Sequence, residues 1–195
     1  MVRALLAGTK TQTRRVVKPD GRYRLDLVAP ADRGPSRCPY GQPGDRLWVR
    51  EAWRVSKQHD PKPPRDIPAR KCTVFFEVGG SIANQANGRW EEDPTYSANG
   101  ADWVGKLRPS MFMPRWASRI TLQITGVRVE RLKDIGARDA IAEGAQPEFP
   151  DPVVSQACPE DYVTGYRTLW ESINGAGSWA LNPWVWVVEF KRIEV

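Results

Sequence analysis

The sequence predicts an α+β fold, in which several short strands and a few helices form one core or a small β-barrel. Two runs of alternating apolar residues, on either side of position 126, indicate strands with one buried face. A stripe of apolar residues between positions 159 and 173 indicates an amphipathic helix. Internal repeats and coiled-coil heptads are lacking, so a mixed fold is favoured over a solenoid or a coiled coil.

The first elements are predicted from short local patterns. The apolar residues of segment 2–6 have helical spacing, and Gly8 follows where a helix C-cap is expected. The turn Gly44-Asp45 precedes a strand at 47–49, and segment 72–78 is a second apolar strand.

The later elements have clearer periodicity. In segment 119–125 the alternating Ile120, Leu122 and Ile124 share one face, and segment 127–132 alternates again. A helix is predicted over 137–143, with Asp134 as its cap and Gly144 as its end. A third helix is predicted before Asn174-Gly175, and its apolar stripe consists of Tyr162, Tyr166, Leu169, Trp170 and Ile173. A last strand is predicted after it, and the apolar face of this strand consists of Trp184, Trp186, Val188 and Phe190.

We expect one domain, residues 1–195, with a long irregular insertion at about 54–117. That insertion is rich in Pro, Gly, Asn and Ser, which favour loops. Its isolated Trp90 and Trp103 are either loop anchors or platforms on which a base could stack. The tryptophans on the later stripes, Trp170 among them, are expected to be structural.

Composition excludes several classes of protein. The three cysteines lie far apart and His59 is the single histidine, so neither a structural zinc site nor a disulfide framework is expected. A reducing cytoplasm fits this usage, and no apolar run is long enough to span a membrane. The N-terminal apolar stretch is too short for a secretory signal. Because His59 lies in a Pro-rich stretch, we expect it to be a solvated loop residue outside any catalytic triad.

Positive charge is concentrated at the N-terminus. Residues 1–24 contain seven basic side chains and one acid, whereas the remaining residues contain 22 of each. Such a local excess indicates either a phosphate-facing patch or a solvated charged face.

Four segments resemble the ASCH family, including members found in phages and prophages, whose fold is a PUA-like small β-barrel with flanking helices. The opening Leu5–Arg15 is similar to the family's Gly, Lys, Thr and Arg motif, and Gly44–Val49 to its Gly-Asp turn and strand. Ala140–Gly144 resembles its helix ending in Glu, and Trp186–Phe190 its last strand. The long insertion and the absence of a strand before the first helix depart from the family's pattern.

The resemblance implies a function and a site. Some relatives hydrolyse the amide of N(4)-acetylcytidine, and by motif their catalytic set corresponds to Lys10, Thr13 and Glu143, with Arg14 and Arg15 as substrate-binding groups. No metal or cofactor is implied, and the expected partner is a modified cytidine nucleoside, free or in RNA. A threonine hydroxyl needs a neighbouring base, and a lysine whose pKa is lowered by burial or by nearby cations can serve.

Two alternatives remain open on the sequence alone. One is an RNA-binding module without catalysis, and the weaker one is a metal-assisted ribonuclease. The amidohydrolase hypothesis also has a geometric requirement, because Lys10 and Thr13 would point to opposite faces of a straight strand. A bend or bulge between these two residues is therefore expected.

Overall fold

The computed structural model describes residues 1–18, 38–69, 72–84, 90–93, 101–148 and 158–193, which contain three α-helices, eight strands and several short 3-10 turns. The helices are α1 (Val2–Leu6), α2 (Ala137–Ala142) and α3 (Pro159–Asn174). The strands are β1 (Gln12–Val16), β2 (Arg46–Trp48), β3 (Trp53–Arg54), β4 (Thr73–Phe76), β5 (Ser81–Asn84), β6 (Trp90–Asp93), β7 (Thr121–Arg131) and β8 (Trp184–Ile193). No described helix has the length and apolar character needed to cross a membrane.

The strands form two four-stranded sheets, one in the order β1-β8-β7-β2 and one in the order β3-β4-β5-β6. The first is a curled antiparallel sheet, in which β1 pairs with β8 from Gln12↔Glu189 to Val16↔Val185. The predicted α+β class is confirmed at this level. The two alternating runs around Gly126 prove to be one continuous strand, β7.

The chain divides into two compact units. The first unit comprises Met1, Arg3–Arg46 and Gln123–Arg192, and the second comprises Val2, Leu47–Leu122 and Ile193–Val195. In the first unit, α3 buries Tyr166 and Trp170 in a core with Val185 and Val187 of β8. Gly175, with a φ of +96°, ends α3 where the sequence predicts.

The second unit has a core of its own, built around Trp53, Val55, Val74 and Phe76. The strand predicted at 72–78 is confirmed by β4, whereas the prediction that the rest of 54–117 is irregular is wrong for the strands β5 and β6. The acidic sequence of β6 has low intrinsic strand propensity, but its backbone pairs with β5, which in turn pairs with the apolar β4.

Three local predictions also need correction or limits. His59 is 8% exposed, because a 3-10 turn at Lys57–His59 turns it inward and the buried Arg108 guanidinium donates to its carbonyl oxygen at 2.8 Å. Asp134 is not the cap of α2, whose N-cap residue is Gly136.

Trp103 is about half-exposed and packs edge-on against Phe75, with ring centroids 5.2 Å apart. The side chain of Trp90 and residues Arg22 and Arg24 of the basic segment lie outside the described part of the structure.

Candidate active site

A cavity of about 200 Å³ in the first unit is lined by the N-terminal end of the chain, segment 10–16, the end of α2 and one face of α3. All five candidate site residues predicted from the sequence line this cavity. They are Lys10, Thr13, Arg14, Arg15 and Glu143. The cavity reaches the surface, because exposed side chains such as Arg15 and Ile173 are part of its wall.

Local backbone geometry directs Lys10 toward α2. After α1 the chain reverses at Gly8, whose φ is +71°, and the Lys10 amide donates to the Ala4 carbonyl oxygen at 3.1 Å. The Thr11 amide then donates to the carbonyl oxygen of Ala142 at 2.8 Å, which fixes this segment to the last turn of α2. Lys10 therefore lies at a helix C-terminus, where unpaired carbonyl groups favour a cation.

Lys10 and Glu143 form a buried ion pair. The Lys10 Nζ donates to Glu143 Oε2 and to the Glu143 carbonyl oxygen, both at 2.7 Å. The two side chains are only 8% and 5% exposed. The next residue, Gly144, has a φ of +77°, and a Cβ there would lie 3.3 Å from the Cβ of Lys10. A glycine is thus required both for the turn and for the close approach of Lys10.

Burial moves both members of this pair toward their neutral forms. Burial lowers the pKa of Lys10, and Arg15 and Arg14 lower it further, while the Glu143 carboxylate opposes them. Burial raises the pKa of Glu143, against the effect of Lys10 and Arg14. Because the two pKa values shift toward each other, the neutral form of each group is less unfavourable in the cavity than in water.

Thr13 lies in β1, opposite Val188 of β8, and is partly exposed. Among the described residues its hydroxyl makes no hydrogen bond, so it is free to contact a ligand. Burial alternates along the segment, with Lys10, Gln12 and Arg14 more buried than Thr13. Lys10 and Thr13 nevertheless both line the cavity, and Lys10 precedes the regular strand, which begins at Gln12.

Arg14 is more deeply enclosed than a substrate-binding arginine is expected to be. Its Nη2 donates to Asp139 Oδ2 at 2.7 Å and to Glu130 Oε2 at 3.0 Å, and its side chain is fully covered. Arg128 continues this network through ion pairs with Asp139 and Glu130. Sequence reasoning missed these partners, although Asp139 precedes Glu143 by four residues and therefore shares its helix face. Arg15, in contrast, is exposed at the cavity wall and can reach a ligand.

One face of α3 forms an apolar wall of the cavity. Tyr166, Leu169, Trp170 and Ile173 all line it. The sequence predicts this stripe as core, but only Tyr166 and Trp170 are buried, while Leu169 and Ile173 are 40% and 65% exposed. Burial and the nearby Glu143 carboxylate raise the pKa of Tyr166, so its hydroxyl stays protonated and can donate a hydrogen bond.

Comparisons with known proteins give no family: no protein-family model, no curated protein and no solved structure matches this chain. Within the described ranges, no cluster of three or more His, Cys, Asp or Glu side chains is arranged to hold a metal ion.

Proposed function

We propose that this protein is an amidohydrolase that removes the acyl group from N(4)-acylated cytosine nucleosides, with Thr13 as nucleophile, Lys10 as base and Glu143 as acid/base partner. One observation carries the proposal: these three side chains line one cavity, and two of them, Lys10 and Glu143, form a buried ion pair although they are 133 residues apart in the sequence. We also propose that the curled sheet is part of a PUA-like barrel of the ASCH type. We further propose that the protein is located in the cytoplasm.

The acylation step uses the Thr13 hydroxyl. Its Oγ attacks the acyl carbonyl carbon while the neutral amine of Lys10 takes the hydroxyl proton. The tetrahedral intermediate collapses with cleavage of the carbon–nitrogen bond, and the cytosine N4 receives a proton from the Lys10–Glu143 pair. Cytidine leaves, and the acyl group remains as an ester on Thr13. Arg15, the exposed cation of the site, is assigned to stabilise the developing oxyanion.

The deacylation step reverses these roles. Water attacks the ester carbonyl carbon and gives its proton to Lys10, and the collapse of the second intermediate returns a proton to Thr13 Oγ. The products are a carboxylic acid and the free enzyme, so atoms and charges balance without a further reactant. Glu143 holds Lys10 in place through both steps by means of the 2.7 Å hydrogen bond.

The size and lining of the cavity are compatible with this substrate. A closed cavity of about 150 Å³ accommodates benzene, so a space of about 200 Å³ admits a six-membered ring that carries a small acyl group. The ribose then extends through the open side. The aromatic rings of Tyr166 and Trp170 offer stacking surfaces for the base.

The experiment is incubation of the purified protein with N(4)-acetylcytidine while cytidine release is followed. Lys10→Ala, Thr13→Ala and Glu143→Ala are expected to lose activity, whereas the matched controls Lys18→Ala and Thr11→Ala, both exposed and outside the cavity, are expected to retain it. Absence of release from acetyl and longer-acyl substrates by the folded wild-type protein would refute the proposal.

RNA binding without catalysis is the second candidate, and the exposed Arg3, Arg15 and Lys18 favour it. The basic segment is, however, weaker than its sequence indicates, because Lys10 and Arg14 are buried in ion pairs. Binding through the patch should weaken steeply with salt, since counterions are released from the nucleic acid. Hydrolysis of an uncharged nucleoside should depend little on salt, so a salt titration separates the two functions.

A further inference from the structure

Asp139 connects two cations next to the candidate site. It lies on α2, one turn before Glu143, and its Oδ2 accepts hydrogen bonds from Arg14 Nη2 at 2.7 Å and from Arg128 Nη2 at 3.1 Å. Glu130 of β7 accepts from the same Arg14 nitrogen at 3.0 Å. One terminal nitrogen of Arg14, Nη2, is therefore held by two carboxylates.

The other terminal nitrogen of Arg14, Nη1, does not form a hydrogen bond with Glu143. Arg14 Nη1 lies 3.9 Å from Glu143 Oε1, about 1 Å longer than a charge-assisted hydrogen bond. Both atoms are buried, and neither has a hydrogen-bond partner. Leaving two such atoms unpaired is costly, so the arrangement persists only because Asp139 and Glu130 hold the guanidinium where it is.

We infer that Asp139 is a positioning residue that keeps Arg14 from closing on Glu143, so that Glu143 stays paired with Lys10. The inference rests on the proposed function for its catalytic meaning. Without the charge of Asp139, Arg14 can advance about 1 Å and take Glu143 Oε1 in a direct ion pair. Glu143 would then be shared between two cations, and Lys10 would lose part of the contact that orients it.

The electrostatic consequence has a definite sign. The charged groups that act on Lys10 are Glu143, at the end of α2, and Arg14 and Arg15 of β1. Tyr166 lines the same cavity. Arg14 faces Asp139 and Glu143 of α2, and Glu130 of β7. An approach of Arg14 to Glu143 neutralises part of the carboxylate charge that raises the pKa of Lys10. Asp139→Asn is therefore expected to lower the pKa of Lys10.

The experiment compares wild type, the isosteric Asp139→Asn and the charge-preserving Asp139→Glu over a range of pH. For Asp139→Asn we expect kcat/KM for N(4)-acetylcytidine to fall between about tenfold and 100-fold, as for a misplacement of about 1 Å. We also expect its acid limb to move to lower pH, and Asp139→Glu to restore both properties. Asp134→Asn, the same change at an exposed position just before α2, is the control and should behave as wild type.

A second readout does not need activity. The titration of Lys10, followed by NMR of its Cε and assigned by loss of the signal in Lys10→Ala, should shift to lower pH in Asp139→Asn alone. Loss of activity or of melting temperature with an unchanged Lys10 midpoint would mean that Asp139 only supports the fold, and would overturn the inference. If wild type releases no cytidine, the proposed function fails, and the Lys10 midpoint alone decides this inference.

Discussion

At the scale of single residues, the candidate site consists of buried charged side chains, each of which is paired with a side chain of opposite charge. Lys10 pairs with Glu143, and Arg14 pairs with Asp139 and Glu130. Buried pairs of this kind contribute little net stability, but removal of one partner leaves an uncompensated charge. Their retention in a cavity wall is typical of a site in which chemistry matters more than stability.

A double-mutant cycle on Lys10 and Glu143 tests this view. Lys10→Met and Glu143→Gln should each lower the free energy of unfolding by about 3–5 kcal/mol, because each strands a buried group. The double variant should lose less than the sum of the two, since no charge is then unpaired. Urea unfolding followed by circular dichroism measures all three. Additive losses would show that the two side chains do not interact in solution.

The pH dependence of stability follows from the same pair. Burial raises the pKa of Glu143 above its ordinary 4.5, so the folded protein holds the extra proton and stability falls as pH rises through the window above 4.5. Burial lowers the pKa of Lys10 below 10.5, so stability rises with pH in the window just below 10.5. The unfolding free energy of wild type minus that of the double variant should therefore be smallest between these windows. A difference that is constant with pH would contradict these directions.

Sequence reasoning supplied part of this site and missed the rest for a physical reason. Lys10, Thr13 and Arg15 belong to one local motif, and Glu143 ends a helix that is marked by Gly144. The partners of Arg14 are different, because Glu130 and Asp139 are 116 and 125 residues away along the chain. Nothing local selects them from the other acids of the sequence, and only the pairing of the strands and the position of α2 bring them together.

At the scale of elements, two glycines let α2 and α3 approach their neighbours. Gly144 ends α2 with a positive φ beside Lys10, and Gly165 lies in the middle of α3. Sequence patterns predicted α3 and β8 well, because each has a long apolar stripe. They failed for β5 and β6, because Asn, Glu and Asp residues have low strand propensity, and these segments become strands through pairing of β5 with β4 and of β6 with β5.

Gly144→Ala is expected to affect activity more than stability. An alanine at a φ of +77° costs about 1–2 kcal/mol, and its Cβ would lie 3.2 Å from the Cβ of Ala4 and 3.3 Å from that of Lys10. The shift of a few tenths of an ångström that results displaces Lys10 from Glu143. Thermal unfolding together with kcat measures the two effects, and an unchanged kcat would show that the end of α2 does not set the position of Lys10.

Gly165→Ala is expected to affect stability more than activity. A Cβ at this position would lie 1.8 Å from the carbonyl oxygen of Gln146, a backbone atom that cannot turn aside. Overpacking of this kind costs about 1–3 kcal/mol or more, so α3 must move away from segment 145–148. Melting temperature and the exchange of α3 amides measure the loss. Gly136→Ala, at a φ of −92° that any residue adopts and with no atom within 4 Å of the added Cβ, is the control for the change in composition.

At the scale of the whole molecule, each unit has a core and a buried ion pair of its own. In the second unit Arg119 donates to both carboxylate oxygens of Glu51, at 3.1 and 2.9 Å, and its guanidinium lies 3.9 Å from the centre of the Phe76 ring. All residues of the candidate site belong to the first unit. We therefore expect that the second unit can be destabilised without loss of the proposed activity.

Glu51→Gln should destabilise the second unit without changing the chemistry. The change leaves the Arg119 charge buried without its carboxylate, which costs about 3–5 kcal/mol. We expect amides of β4 and β5 to exchange faster with solvent while those of β1 and β8 keep their protection, and kcat/KM of the folded variant to stay within about twofold of wild type. Glu77→Gln, in a half-exposed pair with Arg54 at 3.5 Å, is the matched control and should change exchange little. A proportional fall in kcat/KM for Glu51→Gln would show instead that the candidate site depends on the integrity of the second unit, and that catalysis is a property of the whole chain.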